Sequence, residues 1–208
     1  MNKKLIWINL IVVLLVVVAY IFNSYIVNFP MMFNLPDTLK ESRLEYMAVI
    51  FFFTAIVSYL ISSLDLKKLS FKAKFLRVFP IINSFVLLFF VYLSADEFLK
   101  TQREISVREQ RYLYQAENDI KNDKVIIEYA GGFSVMTQNA QTIRSMDSIR
   151  KKYGITYKNT GCIIDPIENK AQRKYAETIA PYLEKRNGKN WKDKMQKEID
   201  NLKEVSKK

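Results

Sequence analysis

The sequence contains no histidine and only one cysteine, Cys162, among 208 residues. The missing histidine excludes Ser/His/Asp and Cys/His catalysis, His-ligated haem and imidazole-bound zinc. A single cysteine also excludes an internal disulfide and a thiolate metal cluster. Because free cysteine is usually buried, and this one lies between Gly161 and two isoleucines, we interpret Cys162 as a small core residue.

Glycine is scarce as well, with five residues that fall at predicted turns and helix ends. None is left for a phosphate-cradling loop, so the sequence predicts no cofactor and no metal site. The remaining enzymatic hypothesis rests on Ser134 beside a lysine, or on carboxylates such as Asp165, Glu168 and Glu177. The first two carboxylates suit the capping of a helix, and the third suits a solvated face. We therefore predict no catalytic residue and a protein that is not an enzyme.

Long apolar runs are present instead, and all three lie in the first 94 residues: about 5–27, 47–64 and 78–94. A helix of about 20 apolar residues crosses the roughly 30 Å hydrocarbon layer of a membrane. The runs contain no Asp, Glu, Lys or Arg, which disfavours a pump or an ion transporter. The sequence predicts three transmembrane helices in residues 1–95.

Charge predicts how these helices are oriented. A short loop between the second and third runs carries five basic residues, and short basic loops stay in the cytoplasm: Lys67, Lys68, Lys72, Lys74 and Arg77. We predict a bacterial inner-membrane protein with a cytoplasmic N-terminus and an extracytoplasmic C-terminal domain. The net charge of +11 favours anionic head groups, with this basic loop as their contact. No dense basic run suggests nucleic acid as a partner.

Polar side chains inside the runs are candidate helix–helix contacts, because a hydrogen bond between helices satisfies a polar group in lipid. The candidates are Asn9, Ser58, Asn83 and Ser84.

The loop after the first run is unusually apolar, with Phe29, Met31, Met32 and Phe33. One interpretation is a surface that faces a partner subunit. The alternative is a loop that lies in the head-group layer.

The C-terminal part changes character. Residues 96–122 have no Gly or Pro and predict a helical stalk. Residues 123–208 predict a small α+β domain: a β-hairpin across Gly131-Gly132, a helix over 139–153, a short strand pair at 155–157 and 162–164, and two more helices. The last helix carries one apolar stripe: Trp191, Met195, Ile199 and Leu202. Asp165 followed by Pro166 predicts a capped helix start.

By elimination, we expect a non-enzymatic membrane subunit or accessory factor of a larger complex, with other membrane protein subunits as its partners. The alternative hypothesis is an extracytoplasmic binding or sensing module anchored by three spans.

Overall fold

The computed structural model describes residues 3–64, 69–131, 140–161 and 165–205. These described residues are mostly helical, at 80%, and include a small two-stranded sheet. The chain divides into two compact units, Met1–Gln102 (unit 1) and Arg103–Lys208 (unit 2).

Unit 1 contains α1 (Lys3–Val27), the short α2 (Leu35–Glu41), α3 (Glu45–Ser63) and the first part of α4 (Phe71–Lys121). Three of these helices, α1, α3 and α4, are long and apolar enough to cross a membrane. Most of their apolar side chains remain exposed, which is the pattern expected of helices whose solvent is lipid. A small cluster around Val16, Met47 and Phe90 packs them together.

Helix α4 is longer at both ends than the apolar run from which it was predicted. It starts at Phe71 rather than near residue 78, so Pro80 lies more than two turns inside the helix. It continues to Lys121 without a break, because residues 96–121 contain neither Gly nor Pro and consist mainly of good helix formers. The predicted stalk is thus the second half of one 51-residue helix.

The sheet of unit 2 pairs strands that the sequence did not pair. β1 (Val125–Tyr129) and β2 (Ile155–Asn159) run parallel, with Val125 opposite Ile155. The sequence predicts a hairpin between β1 and residues 133–137, and a pairing of the second strand with residues 162–164. Both expected partners lie outside the described residues. The two strands that the structure pairs are joined by a crossover connection that includes α5 (Ala140–Lys152). Burial explains the pairing of β1 with β2, because Val125 and Ile155 are both fully buried in the core.

Two helices complete unit 2. α6 (Pro166–Asn187) begins at the predicted cap, where Asp165 Oδ1 accepts hydrogen bonds from the backbone N–H groups of Ile167 and Glu168. It contains Pro181 without ending there. α7 (Trp191–Val205) buries the predicted stripe of Trp191, Met195 and Ile199 against the core.

Candidate functional site

Asn9 makes a hydrogen bond between two of the long helices. Its Nδ2 donates to the backbone oxygen of Leu76 on α4, at 2.9 Å, and to that of Leu5 on its own helix, at 2.6 Å. The carbonyl of Leu76 would ordinarily accept the N–H of residue 80, but Pro80 has none. Asn9 therefore supplies the donor that the proline removes.

Asn83 is fully buried and also makes a side-chain hydrogen bond between two of the long helices. Its Oδ1 accepts from the Thr54 hydroxyl on α3 at 3.3 Å, and its Nδ2 donates to Phe79 O at 2.9 Å. Ser58 and Ser84 bond within their own helices instead, to Thr54 O and Pro80 O. Small hydroxyl side chains commonly bond back to the preceding turn in this way.

Sequence reasoning missed two further polar contacts in unit 1. The Ser94 hydroxyl on α4 donates to Asn23 Oδ1 on α1 at 3.1 Å. The Tyr20 hydroxyl donates to Ser42 O at 2.6 Å, beside α2. The signal in the sequence was only that a polar residue interrupts an apolar run, which does not say which partner it meets.

The loop after α1 presents its apolar side chains outward. Met32 is 95% exposed, and Met31 and Phe33 are each more than half exposed. Phe33 keeps one edge contact with Tyr25, whereas Phe29 is half-buried with its ring 5.4 Å from that of Phe98. Phe29 and Phe33 thus keep ring contacts, while Met31, Met32 and more than half of Phe33 remain exposed at the tip of the loop.

The basic loop is described only in part, because Lys67 and Lys68 lie outside the described residues. Lys72, Lys74 and Arg77 lie in the first two turns of α4. Lys74 Nζ donates to the backbone oxygen of Leu64 at 2.6 Å, which satisfies a carbonyl just after the end of α3.

A dense cluster of charged groups lies among the described residues of unit 2 and is here called the arginine–carboxylate cluster: Arg108, Arg111, Asp165 and Glu168. Arg108 Nη1 donates to Asp165 at 2.6 Å and to Glu168 at 2.7 Å, and Arg111 donates to Glu168 at 2.6 Å. Burial alone would raise the pKa of Asp165, but the hydrogen bonds from Arg108 and from the first turn of α6 lower it. The two carboxylates are therefore ionised and already occupied by arginine and by the helix cap, which leaves them poorly suited to hold a cation or transfer a proton.

Tyr112 closes this cluster on its inner side. Its hydroxyl donates to Glu168 at 2.6 Å, and burial followed by that contact raises its pKa to about 12. Glu168 shows the opposite balance, since burial would raise its pKa but Tyr112 and Arg108 lower it. The phenol acts as a buried donor that holds α4 to α6.

Two more polar contacts hold the turn between α4 and β1. The buried Asp119 accepts a 2.6 Å hydrogen bond from the Tyr175 hydroxyl, and that hydroxyl accepts one from the backbone N–H of Ile126. Burial raises the pKa of Tyr175. Asp123 accepts from Arg186 and Tyr182, and these contacts lower its pKa to about 2.

Two adjoining cavities run along α6. The larger, about 400 Å³, is lined by Ile127, Leu183 and Trp191 among others, and the smaller, about 270 Å³, by Tyr112, Glu128 and Gln172. They share Ile127, Ala176 and Ile179, so they form one groove beside β1, here called the α6 groove. Its floor is apolar and its rim carries charges of both signs, the composition expected of a site for an amphipathic ligand or chain.

Of the residues considered for catalysis, Asp165 and Glu168 meet at Arg108 in the arginine–carboxylate cluster. Ser134 and Cys162 lie outside the described residues. Glu177 is exposed and forms a loose 3.5 Å pair with Lys174. Within the described ranges, no group of three or more Cys, Asp or Glu side chains is placed to hold a metal ion.

Comparison with known proteins gives no relative: no family model, no curated protein and no solved structure matches this chain.

Proposed function

We propose that this protein is a non-enzymatic integral membrane subunit, or an accessory or assembly factor, of a larger bacterial inner-membrane complex. It docks through its spans and through an extracytoplasmic C-terminal domain. The proposal gains no support from relatives and rests on the surfaces of the molecule itself.

The exposed tip of the first loop is the observation that carries this proposal. Met31, Met32 and Phe33 are 55%, 95% and 58% exposed and lie side by side between α1 and α2. Methionine is common at adaptable protein contacts because its side chain is flexible and polarizable. A contiguous apolar patch is typical of an interaction surface.

The basic residues at the start of α4 support the proposed orientation. Lys72, Lys74 and Arg77 at the start of α4 favour the cytoplasmic side, since short basic loops stay there. An odd number of spans then places the first loop and unit 2 on the opposite side. Cysteine labelling from outside the intact cell tests this in a Cys162→Ser background: a cysteine at Met32 should react with an impermeant maleimide, whereas one at Ser70 should not.

Affinity isolation of a tagged chain from its native membranes in mild detergent tests the docking itself. We expect stoichiometric partner proteins that are lost with Met32→Ser. Leu64→Ser is the matched control, because Leu64 is also an exposed apolar residue at the end of a span, at 55% exposure. A lone monomer, or equal loss with both variants, would contradict docking through the loop.

The second candidate function is a binding or sensing module, and the α6 groove favours it. A groove with an apolar floor of Ile127 and Ile179 and a rim of mixed charge can hold a peptide or a small amphipathic ligand. Thermal shift of the full chain in detergent tests this hypothesis, since a ligand at about 100 times its Kd adds about 2.7 kcal/mol. Ala176→Trp, which fills the floor, should abolish the shift.

A further inference from the structure

A second groove lies between α1 and α4 in unit 1, here called the span groove. Its volume is about 290 Å³ and its exposed lining is entirely apolar; the lining residues are Ala19, Phe22, Ile26, Val91, Ser94, Ala95 and Phe98. Small side chains on both helices leave the space, and two phenylalanines flank it. The Ser94 hydroxyl is turned to Asn23, which removes the one polar group from the lining.

The groove lies at the depth of lipid acyl chains. On α1 it runs from Ala19 to Ile26, a rise of about 10 Å along the helix, and ends one residue before the helix does. One leaflet of the hydrocarbon layer is about 15 Å deep. The groove therefore starts near the edge of that layer and covers most of one leaflet.

The position of the groove selects its occupant, because lipid acyl chains surround the exposed faces of a membrane span. The walls Phe22 and Val91 are themselves about half exposed, so the groove opens onto the lipid-facing surface of the spans. An unbranched hydrocarbon chain is narrow enough to enter it from that surface.

We propose that the span groove is a binding site for one acyl chain of a membrane phospholipid. The chain covers Ala19, Ala95 and the inner faces of the two phenylalanines, and the lipid's head group remains at the membrane surface. Apolar contact alone supplies the selectivity, so the site distinguishes acyl chains more than head groups. This surface is separate from the first-loop tip on which the proposed function rests.

Native mass spectrometry of the full chain, freed of lipid in detergent and then titrated with palmitoyl-oleoyl phosphatidylethanolamine or phosphatidylglycerol, tests the site. We expect one lipid per chain with either head group. Ala95→Leu should weaken its retention about tenfold, the effect of about two methylene groups that lose their burial. Ala95 is an exposed position with room for the larger side chain, and Ala48→Leu on α3 is the matched control at another exposed alanine. Equal retention by both variants, or binding of only one head group, would overturn the proposal.

A photo-crosslinking residue in place of Val91 supplies the second measurement, in native membranes. A mass increase equal to one phospholipid supports the acyl-chain site. A crosslink to a protein would show that a partner's side chain fills the groove. That result would overturn the acyl-chain site and leave docking through the first loop intact.

Discussion

The pairing of Asn9 with the carbonyl freed by Pro80 makes a sharp energetic prediction. In the native chain Asn9→Leu leaves the partly buried Leu76 O without the donor that replaces the N–H missing at Pro80. We expect the free energy of unfolding to fall by about 1 kcal/mol. This is in the range measured for interhelical hydrogen bonds in membranes and for an acceptor that loses its partner. The second bond of Asn9, to Leu5 O, contributes less because that carbonyl keeps its own helical donor.

In a Pro80→Ala background, Asn9→Leu should have a smaller effect on the free energy of unfolding. An alanine restores the N–H at position 80, and this group then donates to Leu76 O within α4. Asn9→Leu should cost close to zero in that background. The two changes should therefore show a coupling energy of about 1 kcal/mol in a double-mutant cycle.

Unfolding by sodium dodecyl sulfate in mixed micelles provides the assay, with Trp7 fluorescence as the reporter in a Trp191→Phe background. Ser94→Ala is the control, because Ser94 bonds Asn23 about 20 Å along α4 from Pro80 and its cost should be the same in both backgrounds. An equal cost of Asn9→Leu with and without the proline would refute the account of the freed carbonyl.

Three further predictions concern unit 2, each followed by Trp191 fluorescence in a Trp7→Phe background. Asp123 has a lowered folded-state pKa of about 2 against an ordinary value of 3.8, so its contribution to stability is complete above pH 4 and disappears as the pH falls toward 2. Asp123→Asn should flatten the stability profile in that window, and an unchanged profile would contradict the pairing. Arg108→Gln should lower the free energy of unfolding by about 1–2 kcal/mol, because Asp165 and Glu168 lose the cation that binds them both and then repel each other, whereas Arg103→Gln should change it by less than about 0.5 kcal/mol; equal effects would mean that the arginine–carboxylate cluster adds no net stability. Ile155→Ala, at a fully buried position, should cost about 2–5 kcal/mol in denaturant unfolding, and a cost below about 1 kcal/mol would place the core elsewhere.

The helical part of the fold was readable because helix signals are local. Apolar run length predicted the three long helices, and Asp165-Pro166 marked the start of α6, where the structure shows the carboxylate accepting from two backbone amides. The stripe of Trp191, Met195 and Ile199 likewise predicted the buried face of α7.

The strand pairing was not readable, since a parallel pair is specified by contacts far apart in sequence. Gly131-Gly132 is a strong local hairpin signal, and local reasoning followed it. The hairpin partner at 133–137 lies outside the described residues, and the partner that the structure describes begins 30 residues after the start of β1, at Ile155. Nothing near β1 in the sequence identifies that partner.

The sequence by itself determined that the chain has three membrane-length helices and no histidine chemistry, because both follow from residue type and run length. Only the tertiary structure decided which polar groups meet. Asn9 donates to the Leu76 carbonyl that lacks a donor because of Pro80, and Arg108 donates to both Asp165 and Glu168. The Ser94 hydroxyl donates to Asn23 and so is not exposed in the span groove. Hydrogen bonds and ion pairs act over about 3 Å, and that distance is set by the packing of separate helices rather than by spacing along the chain.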